Sequence, residues 1–121
     1  MAKILIMEDE ELVLMALKET LEAAGHEVVA CDNGLEGGEI AHREGCQLAV
    51  VDIFMPQQDG IAVIMELKKL SPTTKVIAIS GGGAVVRDFD YLEYARALGA
   101  VECFHKPVDP QELLETIEAV L

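Results

Sequence analysis

Four places along the chain carry residues that could bind a metal ion or a phosphate group, and each lies just after a short apolar segment. Carboxylates crowded together repel one another. A hard divalent cation with oxygen ligands relieves that repulsion, and Mg²⁺ is the usual ion where phosphate is also present. A carboxylate beside bound Mg²⁺ can attack a phosphoryl group, which predicts metal-assisted phosphoryl transfer. The residues are Glu8-Asp9-Glu10, Asp52, Ser80-Gly81-Gly82-Gly83 and Lys106-Pro107.

Three of these residues, Ser80, Gly81 and Lys106, could contact the oxygens of a phosphoryl group. The amine of Lys106 would neutralise charge on these oxygens in the transition state, and the hydroxyl of Ser80 would donate a hydrogen bond to them. Gly81 leaves room for a backbone N–H to approach the phosphate closely. These positions predict a site in which a carboxylate, an amine and a hydroxyl act together.

The elements that position these residues alternate between strands and helices. Each apolar segment has the length of a strand and is apolar on both faces, as in a parallel strand covered on two sides. The intervening segments have helical spacing; Leu14, Leu17, Leu21 and Ala24, for example, share one face. Glycines follow three of these segments, where a left-handed residue ends a helix. The apolar segments are Ile4–Met7, Val28–Cys31, Leu48–Val51, Val76–Ile79 and Val101–Phe104, and the glycines are Gly25, Gly45 and Gly99.

This alternation predicts an α/β fold of the doubly wound, flavodoxin-like (βα)5 type, with helices on both faces of a parallel sheet in the strand order 2-1-3-4-5. In such a sheet, ligands bind beyond the carboxyl ends of the strands. The acidic residues, the hydroxyl and the amine all follow strand ends. They are therefore expected to meet at one edge of the sheet.

Length and composition limit the class of protein. The 121 residues fit one domain, 1–121, and a net charge of −13 argues against a nucleic-acid surface. The chain has no apolar run of about 20 residues and no signal-peptide pattern, which predicts a cytoplasmic protein with no membrane contact. The three cysteines, Cys31, Cys46 and Cys103, show no CxxC spacing and are interpreted as free thiols.

The motifs together resemble the receiver domain of response regulators in two-component signalling, including the chemotaxis regulators. The resemblance covers the whole chain, and each motif falls in its expected strand-helix unit. Any one motif would be weak evidence by itself. The motifs are Glu8-Asp9, Asp52-Ile53-Phe54-Met55-Pro56 with Asp59-Gly60, Ser80-Gly81 and Lys106-Pro107.

The resemblance implies a role for each site residue. Asp52 would be the phosphoacceptor and would bind Mg²⁺ together with Asp9 and the backbone carbonyl of Phe54. Glu8 would act through a water molecule or as a weaker ligand. The resemblance also implies that Ser80 and Lys106 contact the phosphoryl group, that the Lys106-Pro107 peptide is cis, and that Gly60 lies in a tight turn.

The resemblance also implies a function and partners. A histidine kinase or a histidine phosphotransfer protein would donate phosphate to Asp52. The surface around the fourth helix and the fifth strand would then change and act on an output domain or a downstream protein. In this interpretation the domain is not an enzyme beyond its own phosphorylation and dephosphorylation. Two alternatives remain: a degenerate receiver that works as a docking module, and a Mg²⁺-dependent phosphohydrolase with an aspartyl-phosphate intermediate.

Three observations qualify these expectations. Receivers usually place Tyr or Phe three residues before the lysine, but that position here is Cys103, so the aromatic residue of the switch is missing unless Phe104 or a later side chain substitutes for it. The segment between Ser80 and Lys106 is a few residues longer than usual and is expected to be mobile. Asp9, taken by itself, would also fit the N-cap of the first helix.

Overall fold

A computed structural model describes residues 1–32, 34–55, 58–80 and 91–121 of the chain. Five strands form one sheet, and two short strands pair as a separate hairpin. The five strands are β1 (Lys3–Met7), β2 (Glu27–Cys31), β3 (Leu48–Asp52), β6 (Lys75–Ser80) and β7 (Ala100–His105), and the hairpin strands are β4 (Phe54–Met55) and β5 (Gln58–Asp59).

The described residues include five helices, of which four connect strands and the last follows β7. Two of them begin at an aspartate whose side chain accepts a hydrogen bond from a backbone N–H of the first turn: Asp59 from Ile61 and Asp109 from Gln111. Aspartate is among the residues that favour this N-cap position. The helices are α1 (Glu11–Ala23), α2 (Gly34–Glu44), α3 (Gly60–Leu70), α4 (Tyr91–Ala97) and α5 (Pro110–Val120).

The large sheet is parallel and has the order β2-β1-β3-β6-β7. Counting its five strands along the chain, this is the predicted order 2-1-3-4-5, which confirms the fold expected from the sequence. β2 lies on one side of β1, whereas β3 and the later strands of the sheet lie on the other side. The strand order therefore reverses between the adjacent strands β1 and β3. In sheets of this type the cleft at that reversal is where ligands bind.

The sheet separates two hydrophobic cores. Successive strand residues point to opposite faces, so Leu5 packs in one core, while Ile4 and Ile6 pack in the other. One core lies under α2, α3 and α4, with Ala41, Ile64 and Ala95 as members. The second core lies under α1 and α5, with members that include Leu17, Leu21, Leu113 and Ile117. We call these the α3 side and the α1 side of the sheet.

Other local expectations can be compared with the structure. The three glycines expected after helices have φ angles of 93°, 67° and 119° at Gly25, Gly45 and Gly99, so they adopt the left-handed backbone. Ala24, expected on the buried face of α1, is exposed because it lies beyond the end of the helix. The β4–β5 hairpin was not expected from the sequence.

Candidate functional site

The ammonium group of Lys106 lies at the centre of a cluster of acidic side chains at the carboxyl edge of the sheet. Its Nζ is 2.9 Å from Oδ2 of Asp52 and 2.9 Å from Oε1 of Glu8. Asp52 ends β3 and Glu8 follows β1, so two neighbouring strands supply the two carboxylates. The backbone N–H of Lys106 donates a hydrogen bond to the carbonyl oxygen of Ser80 over 2.8 Å, which holds Lys106 beside the end of β6.

Burial and charge shift the ionisation of this cluster. Glu8 and Asp52 are each only 1% exposed. Burial raises the pKa of Glu8 from 4.5 to about 7, against the opposing effect of the hydrogen bond from Lys106. Burial lowers the pKa of Lys106, but its hydrogen bonds and charge interactions with Glu8 and Asp52 outweigh this effect and raise that pKa above its usual value. The lysine therefore remains a cation, while Glu8 is poised to exchange a proton near neutral pH.

The acidic residues also have the arrangement that a divalent cation needs. One carboxylate oxygen from each of Glu8, Asp9 and Asp52 lies within 4.8 Å of the other two. Oε1 of Glu8 is buried and has no hydrogen-bond partner within the described part of the chain, although Nζ of Lys106 lies 2.9 Å away. A buried oxygen of this kind is costly unless an ion or a donor satisfies it. Three carboxylates are the oxygen ligands that Mg²⁺ favours, so these residues fit that ion.

The raised pKa of Glu8 predicts that the metal-free protein becomes less stable as the pH rises. Folding favours the protonated carboxyl, so its contribution to stability is fully present below about pH 4.5 and is lost as the pH rises through about 7. Between about pH 5.5 and about pH 7.5, the wild type should lose on the order of 1 kcal/mol of unfolding free energy relative to Glu8→Gln. Urea unfolding of both proteins in a metal chelator measures this, and parallel pH dependences would contradict it.

The other residues expected at the site are placed as follows. Asp9 is exposed and lies beside Glu8 and Asp52, as expected for a shared metal site. Ser80 is buried at the end of β6, one residue after Ile79, which is aligned with Asp52. Phe54 lies in β4, two residues after Asp52, and the metal-binding role of its carbonyl stays a prediction. Gly81, together with the long segment after it, lies outside the described residues up to position 90.

The backbone at Pro107, Asp9 and Gly60 can be compared with what was expected from the sequence. The Lys106-Pro107 peptide is cis, as expected. The N-cap of α1 is Glu10, so the interpretation of Asp9 as the cap is wrong. Gly60 is the first residue of α3 and has no left-handed φ; a Cβ atom there would lie 2.2 Å from Cα of Ile53. Glycine at position 60 is therefore required by close packing and not by the backbone conformation of a turn.

The position where an aromatic residue was expected lies on the α3 side of the sheet. Cys103 is half-buried and packs against the core on that side. Phe104 packs against the core on the α1 side. Because the two side chains lie on opposite faces of β7, Phe104 does not occupy the face of Cys103. The suggestion that Phe104 replaces the missing aromatic residue is therefore not supported.

One contact of the site was missed by reasoning from the sequence. Glu10 was grouped with the acidic residues that follow the first strand, but its contact with Lys106 was not predicted: its Oε1 lies 3.3 Å from Nζ of Lys106. The sequence held no clear signal for this contact, because it depends on Glu10 and not Asp9 being the N-cap of α1, which only the structure shows. Glu10 also lines a cleft of about 710 Å³ that opens beside Asp52 and Lys106, with an apolar wall that includes Leu12, Val13 and Val108.

Comparisons with known proteins agree with this geometry. A family model described as the response regulator receiver domain matches residues 4–118. Protein PilH of Pseudomonas aeruginosa is 33% identical over 122 residues, which is 100% of this chain and 98% of that protein. Sporulation initiation phosphotransferase F of Bacillus subtilis is 28% identical over 119 residues, covering 98% of this chain and 93% of that protein.

Solved structures and longer relatives extend the comparison. The crystal structure of a CheY-like response regulator receiver domain protein from Methanospirillum hungatei superposes with a TM-score of 0.87 at 30% identity, covering 99% of this chain and 93% of that one. The chain spans about half the length of several other curated relatives, which are named as transcriptional regulators. Among the described helices, none combines the length and the apolar character needed to cross a bilayer.

Proposed function

Because this chain belongs to the response regulator receiver family of two-component signalling, we propose that it takes a phosphoryl group onto Asp52 from a histidine kinase or a histidine phosphotransfer protein. One observation carries the proposal. The carboxylate of Asp52 is buried at the carboxyl edge of the sheet, 2.9 Å from the ammonium of Lys106 and beside the carboxylates of Glu8 and Asp9. A buried carboxylate held by a cation in this way is positioned to act as a nucleophile.

The reaction is an exchange of one bond to phosphorus for another. A carboxylate oxygen of Asp52 forms a bond to phosphorus while the bond between phosphorus and the donor histidine nitrogen breaks, and that nitrogen keeps the electron pair. Lys106, a cation over the physiological range, remains beside the acceptor and neutralises charge on the transferred oxygens. The product is an acyl phosphate on Asp52, and one donor is consumed for each acceptor.

Magnesium belongs to this proposal as the ion for which the acidic residues are suited. Glu8, Asp9 and Asp52 would hold it, with the carbonyl of Phe54 as a further ligand. When bound, the ion neutralises negative charge on the acceptor and the phosphoryl group. The raised pKa of Glu8 is consistent with this assignment, since burial disfavours the charged carboxylate even beside Lys106 and a further cation would offset that penalty.

Ser80 and Gly81 complete the proposed contacts to the phosphoryl group. Ser80 is buried at the rim next to β3 and β7, where its hydroxyl would donate to a phosphoryl oxygen. The backbone N–H of Gly81 would donate to another oxygen. We propose that these contacts draw the segment after Ser80 toward the site and so alter the surface formed by α4 and β7, because a new charge with acceptor oxygens can bias a two-state loop.

Intact-mass measurement tests the acceptor directly. In acetyl phosphate and Mg²⁺, the wild type should gain the mass of one phosphoryl group, Asp52→Asn should gain none, and a chelator should suppress the gain. Glu11→Gln, which changes an exposed carboxylate near the site, should gain the group as the wild type does. Uptake by Asp52→Asn equal to that of the wild type would overturn the assignment of the acceptor.

One alternative function is favoured by a specific observation. Cys103 stands where receivers usually carry an aromatic residue, and it could leave the domain as a docking module that works without phosphorylation. Full control of the partner by Asp52→Asn would favour that alternative. A phosphohydrolase is less suited to the site, because Phe54 stands where such enzymes place a second aspartate, and we expect no turnover of small phosphate esters.

The wider setting is also part of the proposal. We place the domain in the cytoplasm, where it receives phosphate from its kinase or phosphotransfer protein. Its phosphorylated surface acts on a downstream protein or on an output domain. Its charge of −13 makes direct binding to nucleic acid by this domain unfavourable.

A further inference from the structure

Glu10 has a side chain whose position is not explained by the helix that it begins. Its backbone occupies the N-cap of α1 with φ −78° and ψ 109°, but its carboxylate accepts no capping hydrogen bond from the first turn, all of which is described. The carboxylate instead reaches Nζ of Lys106, 3.3 Å away. Its backbone N–H donates to Oε2 of Glu8 over 3.0 Å, which anchors the residue beside the site.

The single ammonium group of Lys106 thus contacts three carboxylates. An ammonium has three N–H bonds, and Glu8, Glu10 and Asp52 lie within hydrogen-bonding distance of it. The side chains of Glu8 and Asp52 are 0% and 2% exposed and cannot turn to water, whereas that of Glu10 is 62% exposed. Glu10 is therefore the partner that can leave the ammonium at the lowest cost.

A phosphoryl group on Asp52 would need the same ammonium. It brings more negative charge and more acceptor oxygens than the carboxylate that it replaces. While Glu10 remains on Lys106, part of the positive charge is already neutralised, and one N–H of the ammonium is directed toward the solvent side of the site. The entering group must compete with Glu10 for that cation.

We propose that Glu10 is a positioning residue that acts through Lys106: it shares the ammonium in the resting site and thereby slows phosphoryl uptake by Asp52. This inference rests on the proposed function, because it concerns the rate of that reaction. Glu10 also lines the cleft that leads to Asp52, so a direct repulsion of anionic donors is a separate route to the same rate change. The experiment must distinguish contact with Lys106 from mere charge at the cleft.

Two substitutions of Glu10 make this distinction. Glu10→Gln removes the charge. Glu10→Asp keeps the charge, but its shorter side chain loses the 3.3 Å contact and, as a favoured N-cap residue, turns toward the N–H groups of α1. If Glu10 acts through Lys106, both variants should behave alike. Glu11→Gln is the matched control: it removes the neighbouring exposed carboxylate, which forms no ion pair with any described residue.

The measurements are the rate of phosphoryl uptake from acetyl phosphate, followed by intact mass, and the affinity for beryllofluoride with Mg²⁺, followed by the amide NMR signals of Asp52 and Lys106. Glu10→Gln and Glu10→Asp should take up phosphate about two- to fivefold faster and bind beryllofluoride tighter by a similar factor, as expected for one exposed ion pair. Glu11→Gln should match the wild type. Glu10→Gln should keep the urea midpoint of the wild type, and Glu10→Asp should keep or raise it because it supplies an N-cap, so a faster rate in both would not reflect a loss of structure.

The possible outcomes separate the inference from the function on which it rests. A faster Glu10→Gln with an unchanged Glu10→Asp would show that charge at the cleft matters and would overturn the role through Lys106. Rates of both variants equal to the wild-type rate would overturn it as well. A wild type that neither takes up phosphate nor responds to beryllofluoride would instead refute the proposed function, and the inference would fall with it.

Discussion

Replacing Lys106 by Met should destabilise the metal-free protein by about 3 kcal/mol above pH 7, because it leaves two buried carboxylates without their cation. Glu8 and Asp52 are each 1% exposed and both lie 2.9 Å from the ammonium. The loss should shrink at lower pH as Glu8, whose pKa is about 7, takes up a proton. Added Mg²⁺ should restore much of the stability, since it replaces the missing positive charge.

Urea unfolding with and without Mg²⁺ measures this effect, and Lys3→Met supplies the control. Lys3 also contacts two carboxylates, those of Glu27 and Glu44, at 3.1 Å and 3.2 Å, but at the opposite end of the sheet and near solvent. Surface ion pairs contribute little, so Lys3→Met should change the unfolding free energy far less and should not respond to Mg²⁺. Equal losses in the two variants would contradict the importance of burial at Lys106.

Gly60→Ala should destabilise the protein by about 3 kcal/mol or more and should slow phosphoryl uptake. The added Cβ atom would lie 2.2 Å from Cα of Ile53 and 2.6 Å from its Cγ2. Because the nearest atom belongs to the backbone, no side-chain rotation can relieve the collision. Ile53 directly follows Asp52, so the displaced segment is the one that holds the acceptor.

The matched control for this substitution is Gly45→Ala. A Cβ atom at Gly45 would meet no heavy atom within 4 Å, and its only cost comes from the left-handed φ of 67°. That strain is worth about 1 to 2 kcal/mol and acts far from Asp52. We expect a smaller loss of stability and an unchanged rate of phosphoryl uptake. Reduced uptake in Gly45→Ala equal to that in Gly60→Ala would show that the rate follows general stability and not the position of Asp52.

The fold could be predicted from the sequence because its signals are local and repeated. β3 is buried along its whole length, and a parallel strand covered on both faces must be apolar throughout. Glycines with a left-handed backbone end the helices before β2, β3 and β7, and so mark the boundaries between helices and strands in the sequence. Once the alternation is recognised, the handedness of parallel connections leaves few possible strand orders.

The grouping of site residues followed from the fold, but their contacts did not. Strand ends brought Glu8, Asp52 and Lys106 to one edge, as expected. That Lys106 would pair with Glu8 and Glu10 as well as with Asp52 depends on side-chain conformations and burial, which spacing along the chain does not encode. The requirement for Gly60 was likewise mistaken for a turn, because the close approach of Ile53 is a tertiary contact.

The two-sided arrangement of the sheet has a consequence for how a signal leaves the site. Asp52 continues the strand face of Leu48 and Val50, on the α1 side, whereas Ser80 continues the face of Val76 and Ala78, on the α3 side. A group attached to Asp52 and bonded to Ser80 would join two halves of the domain whose interiors are otherwise partitioned by the sheet. Phosphorylation would in this way couple the α1 side, which carries Asp52, to the α3 side, which carries Ser80 and packs α4.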